Sequence, residues 1–499
     1  MDLIANLATG FGVAFTPANL GFCLMGVLIG TLVGVLPGIA PITTIAILLP
    51  FTFALPPASS LIMLAGIFYG AQYGGSTSAI LVNLPGESSA VITCLDGHQM
   101  AKQGRAGPAL AIAAIASFFA GTVATIIIVT ASVPLSWLAL SFTAPEYFSL
   151  MLLGLTGAVV LAHGSPSKAV AMVIVGLMLG LVGIDVNTGA PRMTFGYAEL
   201  GDGIGFVPVV IGLFGISELA VNLGKPQDRK LLDFSLKNLW PSFAEIRSCF
   251  GAIGRGTAIG SVLGVLPGGG AALSSFAAYA FEKKWSRNPE RFGRGAIQGV
   301  AAPEAANNAG AQTSFIPLLT LGIPGNAIMA LMVGAMMIQG IQPGPQVMIA
   351  QPQLFWGVIV SMWLGNLMLI VLNLPLIGIW VWLLRVPYRV MFPVIVLFCC
   401  IGTYSINNSV FDIWLMLLFG ALGVLFIKVG AEPAPFVLGF ILGPLMEENF
   451  RRAMMLSRGD PAIFIQKPIS AFLLFLCAIL FVILVLPTVR KKREEVFQE

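Results

Sequence analysis

One phrase is written twice in this chain. Residues 26–38 read GVLIGTLVGVLPG and residues 256–268 read GTAIGSVLGVLPG, with eight of thirteen positions identical at an offset of 230 residues. Both copies lie in strongly apolar sequence, and both interrupt it with Pro-Gly. A second pair follows. Thr77-Ser78 leads to Leu84-Pro85-Gly86, and Thr313-Ser314 leads to Ile323-Pro324-Gly325. Proline lacks a backbone donor and its ring collides with the preceding turn, so a helix kinks or stops there. Matched interruptions in two halves of a chain point to a duplicated fold with broken helices, and to the binding site of a secondary transporter.

The sequence around the breaks is built for lipid. Of the 499 residues, 57% are hydrophobic and 10% charged, against about 25% charged in soluble domains. So few charges cannot cover a water-facing surface, which makes this an integral membrane protein. The apolar runs are continuous and do not alternate with period two, which argues against a β-barrel. A span needs roughly 20 apolar residues. The expected fold is therefore all-α and polytopic, with about 10–12 transmembrane helices plus broken helices or hairpins.

Charge and cysteine content exclude other classes. A net charge of +4 is too small and scattered for nucleic acid. The six cysteines lie mostly in apolar runs without metal-site spacing, and read as buried free thiols. No G-x-x-x-x-G-K-[ST] occurs, so the chain carries no P-loop of its own. Titratable residues that could converge on an intramembrane catalytic site are nearly lacking, so an enzyme is not expected. The N-terminus, MDLIANLATG, lacks the basic region of a cleaved signal peptide.

Four regions follow: a first transmembrane repeat over 1–223, a polar linker with a surface helix over 224–250, a second repeat with extra C-terminal helices over 251–489, and a tail over 490–499. The first loop of repeat one, 50–60, has no charge, whereas its counterpart 282–294 carries Lys283, Lys284, Arg287, Arg291 and Arg294. The second loop reverses this: Lys102 and Arg105 lie in 96–105, and 340–353 has no charge. Basic loops stay cytoplasmic. Equivalent loops then face opposite sides, the repeats are inverted, and the basic tail is cytoplasmic. Duplication without inversion is the alternative.

Two sets of polar positions could bind ligands. A helix N-terminus exposed at a break is a ready anion site. The residues there are Pro37, Gly38, Thr43 and Thr44 in one repeat, and Gly268, Gly269, Gly270, Ser274 and Ser275 in the other. The bland reading is a packing kink, since Gly26, Gly30, Gly34 and Gly38 recur every fourth residue. The second set lies in apolar surroundings, where polar side chains are costly. Tyr69, Gln72, Tyr73, Ser76, Thr77, Ser78 and Asn83 belong to repeat one, and Glu304, Asn307, Asn308, Gln312, Thr313 and Ser314 to repeat two. Their oxygens suit a hard cation. Ser76, Thr77, Ser78, Asn83, Asn307, Asn308, Thr313 and Ser314 are the Na⁺ candidates, with interhelical hydrogen bonding as the alternative. No Arg or Lys lies inside the strongly apolar spans of the repeat cores. Lys168, Arg192 and Arg255 read as interfacial anchors, and His98 and His163 lack catalytic partners. Residues 183–196 read as an extramembrane turn and a possible docking surface.

At these motifs the chain resembles the large membrane subunit of the tripartite tricarboxylate transporter family. The resemblance is carried by GVLPGIAP (34–41), FYGAQYGGSTSAILVNLPGE (68–87), DGHQMAKQGRAGPAL (96–110), VGIDVNTGAPRMTFG (182–196), GVLPGGGAALSSFAAYAFEKK (264–284), GVAAPEAANNAGAQTSFIPLLTLGIPG (299–325) and GIQPGPQ (340–346). It implies a bacterial inner-membrane symporter for a di- or tricarboxylate such as citrate, with Na⁺ as coupling ion and no other cofactor. It also implies two partners, a small four-helix membrane subunit and a periplasmic solute-binding protein. An elevator mechanism is the expectation by analogy with similar inverted-repeat carriers. A single-component anion carrier and a channel are the competing readings.

Overall fold

Apolar runs punctuated by proline become helices that start at those prolines. The computed structural model describes residues 3–36, 40–162, 165–185, 188–223, 239–266, 270–383 and 388–485. Pro17, Pro41, Pro57, Pro166, Pro352 and Pro433 each open a helix. The first-turn N–H that proline lacks has no intrahelical partner in any case. Among the described residues the strands are Gly183–Ile184 and Pro191–Arg192, an antiparallel pair in register Gly183↔Arg192. They fall in the stretch read as an extramembrane turn.

Up to its Pro-Gly, the doubled phrase has the same local conformation twice. The Pro17–Val35 helix ends at Leu36 (φ −84°, ψ 105°) and the Phe243–Val265 helix at Leu266 (φ −76°, ψ 133°). Each leucine N–H reaches back three residues, to Val33 O at 3.0 Å and Leu263 O at 3.2 Å. The next helices are Pro41–Phe53 and Gly270–Trp285. Pro37, Gly38, Pro267, Gly268 and Gly269 lie outside the described residues, as do His163, linker residues 224–238 and the tail. The rest of the polar stretch leads into the Phe243–Val265 helix, capped by Ser242 and Glu245.

Among the described residues, five helices are long and apolar enough to cross a membrane: Pro17–Val35, the Ala106–Leu135 span, Phe206–Leu223, Pro352–Asn373 and Val410–Lys428. Seven shorter apolar helices accompany them. That is fewer than the sequence suggested, and the Pro57–Val82 helix shows why. Its 26 residues are long enough to cross, but Gly, Ser, Tyr and Gln dilute its hydropathy. Every residue from Ser59 to Val82 is buried in protein. Phe119, Ile126, Leu418, Phe475 and Phe481 instead face outward. The chain is an all-α, multi-pass membrane protein.

Two helix pairs make the centre. Pro17–Val35 packs on Pro57–Val82, and Phe243–Val265 on Gln298–Thr313. A Cβ added at Gly26, Gly30 or Gly34 would lie 2.3, 2.2 or 2.4 Å from the carbonyl oxygen of Met63, Ile67 or Ala71. At Gly256, Gly260 and Gly264 it would lie 2.3, 2.3 and 2.4 Å from those of Ala302, Ala306 and Gly310. The four-residue glycine spacing is thus a backbone-to-backbone ladder, the small-residue packing that lets helices associate in lipid. The long helix after each pair packs on the other one: Ala106–Leu140 on Gln298–Thr313, and Pro352–Asn373 on Pro57–Val82. Outside them, Pro433–Leu456 packs on Pro166–Gly180 and Ala144–Leu161.

The loops meet by charge type. Asp96 Oδ1, in the basic loop of the first half, accepts the N–H groups of Gly293, Gly295 and Ala296 at 2.9, 2.8 and 2.8 Å. Tyr279 OH donates to Asp96 Oδ2 at 2.9 Å, and Gln103 Nε2 to Arg294 O at 2.9 Å. At the uncharged loops, Gln339 Nε2 donates to Thr52 O at 3.3 Å. Two of the cations read as anchors form ion pairs, Arg192 with Glu447 at 2.8 Å and Arg255 with Glu282 at 2.8 Å. Lys168 Nζ donates to Val429 O.

Candidate functional site

A carboxylate in an apolar interior is costly unless hydrogen bonds surround it. Glu304 is 1% exposed. It sits on Gln298–Thr313, whose Ala- and Gly-rich sequence lets neighbouring helices come close, immediately after an internal proline, Pro303. Hydroxyls from three other helices reach it. Ser76 Oγ, on Pro57–Val82, donates to Oε2 at 2.7 Å. Thr93 Oγ1, on the short Val91–Thr93 helix, donates to Oε1. Ser117 Oγ, on Ala106–Leu140, donates to Oε2 at 3.5 Å. Asn308 Nδ2 supports this shell by donating to Ser117 Oγ at 2.7 Å.

A second carboxylate, Glu87, adjoins the first. It accepts Ser89 Oγ, and Asn307 Nδ2 approaches it at 3.5 Å. Ser89 Oγ also donates to Gln72 Oε1 at 3.0 Å. Further along, Thr125 Oγ1 donates to Gln312 Oε1 at 2.9 Å. The polar residues of the two halves therefore form one buried set that bridges the halves.

The cation candidates divide within this frame. Ser76, Asn307 and Asn308 join the network. Thr77 Oγ1 bonds Tyr73 O at 3.3 Å, on its own helix. Ser78 Oγ bonds Gly75 O at 3.0 Å and Gly34 O at 3.4 Å. Thr313 and Ser314 bond the carbonyls of Ala309 and Ala311 at 2.9 and 2.7 Å. Asn83 is exposed and caps its helix with φ 59°.

The anion candidates at the first break meet a carboxylate already present. Glu218, on Ser217–Leu223, accepts the Ala40 N–H at 3.1 Å and the Thr43 hydroxyl. Thr43 Oγ1 also reaches Phe214 O at 3.1 Å, and Thr44 Oγ1 reaches Ala40 O at 3.3 Å. A protein carboxylate thus sits at the N-terminus of Pro41–Phe53, where helix dipole and free N–H groups favour an anion. At the second break, Gly270 (φ 51°) opens its helix. Ser274 Oγ bonds Gly270 O at 2.7 Å, and Ser275 Oγ bonds Ala271 O at 3.1 Å and Pro303 O at 3.3 Å.

The sequence model of the tripartite tricarboxylate transporter TctA family matches residues 20–438. The chain belongs to this family. A TctA-family assignment makes it a membrane transport protein, the large subunit type of a tripartite system. It is similar to an uncharacterized 52.8 kDa protein in the TAR-I ttuC' 3' region of Agrobacterium vitis, 58% identical over 499 residues, covering 100% of this chain and 99% of that one. An uncharacterized protein in the TAR-II ttuC' 3' region of the same organism is 60% identical over 240 residues, 48% of this chain and 99% of its own length. No solved structure matches.

Sequence reasoning placed Glu304 at membrane depth without giving it the central position, and it missed Glu87, Thr93, Ser117 and Glu218 as network members. One signal was available for two of them. Glu218 is a lone charge in GISELAV, and Ser117 a lone hydroxyl in AIASFFAG; isolated polar groups in apolar runs are functional candidates by default.

Proposed function

We propose that this chain is the large transmembrane subunit of a binding-protein-dependent secondary transporter that imports a di- or tricarboxylate, citrate-like, by Na⁺ symport. Its halves are inverted repeats in a bacterial inner membrane, and the C-terminus is cytoplasmic. The observation that carries the reading is the loop pairing. Basic loop 96–105 meets basic segment 293–296, and uncharged loop 50–60 meets Gln339 beside the other uncharged loop. Equivalent loops of the two halves then open on opposite sides, as alternating access by inverted repeats needs.

Family membership supports the carboxylate class and the two partners, a small four-helix membrane subunit and a periplasmic solute-binding protein. The substrate rests against the two Pro-Gly breaks: Ser274, Ser275 and backbone N–H groups meet it at the second, and at the first it displaces the Glu218 carboxylate from the Ala40 N–H and the Thr43 hydroxyl, beside Thr44. Thr77, Thr313 and their neighbours lie near the coupling ions. The core helices work as the mobile part of an elevator.

The test is uptake of radiolabelled citrate into proteoliposomes containing this chain and its small partner, with and without the binding protein, under a Na⁺ gradient or none. Saturable uptake that needs both the gradient and the binding protein is expected. Uptake without the binding protein marks a single-component carrier; non-saturating flux marks a channel. Either result overturns the reading.

A further inference from the structure

Beside Glu304 lies a cavity about the size of a water molecule, lined by Tyr73, Ser76, Thr77, Ser117, Glu304 and Asn373 among others. We infer that this cavity is a binding site for one dehydrated Na⁺ ion, with Glu304 as its charged ligand, which rests on the reading of the chain as a cation-coupled carrier.

Three features of the lining ask for the same occupant. Tyr73 OH and Asn373 Oδ1 are buried, 4% and 5% exposed by residue, and neither has a hydrogen-bond partner among the described residues. Burying such a group unpaired is unfavourable, so unpaired groups are rare and need a reason. Glu304 is the third. Its partners are hydroxyls, and among the described residues no Lys, Arg or His pairs with it. A water molecule could satisfy the phenol and the amide, but it would leave the carboxylate charge uncompensated. A small monovalent cation compensates the carboxylate and takes the free lone pairs of the phenol and amide oxygens.

The hydroxyls are arranged for this. Ser76 and Ser117 give their protons to Glu304, and Thr77 gives its proton to Tyr73 O. Each oxygen keeps lone pairs for a cation. With the carboxylate, the phenol oxygen and the Asn373 carbonyl oxygen, the set is all hard oxygen donors, the kind that suits Na⁺. Its charge fits one positive unit. Among the described residues no group of three His, Cys, Asp or Glu side chains comes together, as a site for a divalent or transition metal would have.

The site differs from the expectation drawn from sequence. Of the residues proposed there for Na⁺, Ser76 and Thr77 line it, and Ser78, Asn83, Asn307, Asn308, Thr313 and Ser314 do not. Both halves contribute: Tyr73, Ser76, Thr77 and Ser117 come from one, Glu304 and Asn373 from the other.

The experiment is thermal unfolding of the full chain in detergent at constant ionic strength, titrating NaCl against KCl and choline chloride. A ligand that binds the folded state raises Tm in a saturable way. Saturable stabilisation by Na⁺, absent with K⁺ and choline, is expected. Tyr73→Phe and Asn373→Leu each raise the half-saturating Na⁺ concentration about tenfold, as loss of one good ligand does. Glu304→Gln abolishes the shift. Unchanged half-saturation in folded Tyr73→Phe and Asn373→Leu, or an intact Na⁺ shift in Glu304→Gln, overturns the site. Stabilisation that follows pH and ignores Na⁺ makes Glu304 a proton carrier and overturns it equally. The measurement needs no organic substrate. An intact Na⁺ shift beside absent citrate uptake therefore leaves the cation site standing and removes the carboxylate reading.

Discussion

Ser76 and Glu304 lie 228 residues apart in sequence, and the serine hydroxyl donates to the carboxylate across 2.7 Å in the centre of the protein. One residue belongs to the first half and the other to the second. Any rearrangement that separates the halves at this depth must break this bond or carry both residues together.

Hydrogen bonds to charged groups contribute about 1.5–3 kcal/mol each. Ser76→Ala removes one of the donors to Glu304 and lowers stability by an amount of that order. Glu304→Ala leaves the hydroxyls of Ser76, Thr93 and Ser117 without their acceptor and costs more than Glu304→Gln, which keeps shape and accepting capacity. Thermal unfolding in detergent ranks the three; equal Tm values for Glu304→Ala and wild type would remove Glu304 from the structural core.

Glycines of the Phe243–Val265 helix should separate sharply. Gly260 faces the Ala306 carbonyl with no room for a methyl group, whereas nothing lies within 4 Å of a Cβ added at Gly254. Gly260→Ala forces the backbones apart and lowers the yield of folded protein severalfold. Gly254→Ala is neutral or stabilises by about 0.5–1 kcal/mol through helix propensity. Yields by fluorescence-detected size exclusion check both.

Thr43 and Glu218 share one bond, so their substitutions should not add. Thr43→Val and Glu218→Gln each lower stability by about 1–2 kcal/mol, and the double variant falls short of the sum by roughly 0.5 kcal/mol or more. Strict additivity in a double-mutant cycle would show that the pair does not interact in solution.

The proposed inverted arrangement puts the two loop clusters on opposite sides of the membrane. In a background with the six cysteines replaced, cysteines at Ala54 and Asn288, both exposed, should label from opposite faces of the membrane. An impermeant maleimide applied to whole cells should reach Ala54→Cys alone. Equal labelling at both positions contradicts the inverted arrangement. Asp96→Asn should loosen the join between residues 96–105 and 293–296, seen as faster proteolysis there, because three N–H donors and Tyr279 converge on that carboxylate.

What the sequence revealed was local. The helix stops at Leu36 and Leu266 follow from Pro-Gly, and helix starts follow from proline. The membrane class follows from charge content. The partners of Glu304 did not show, because Ser76, Thr93 and Ser117 are brought to it by packing between helices far apart in the chain, and packing of that range leaves no periodic trace. The hydroxyls of Thr313 and Ser314 show a related point. In a helix, Ser and Thr can satisfy themselves on the carbonyl three or four residues back, and these two do. Glu218 at the Ala40 N–H was hidden by its distance in sequence.

The glycine ladders have a mechanical consequence. In each central pair, Pro17–Val35 with Pro57–Val82 and Phe243–Val265 with Gln298–Thr313, main chain lies directly on main chain at three successive rungs. At five of the six rungs the nearest atom is a main-chain carbonyl oxygen, and at Gly264 the Thr313 hydroxyl lies beside the Gly310 carbonyl. Each pair therefore behaves as a stiff slab. Where the long Ala106–Leu140 helix crosses Pro352–Asn373, by contrast, Gly121 meets the side chain of Asn366 rather than a carbonyl. A contact made by side chains can shear or change rotamer, which a carbonyl-on-glycine contact cannot.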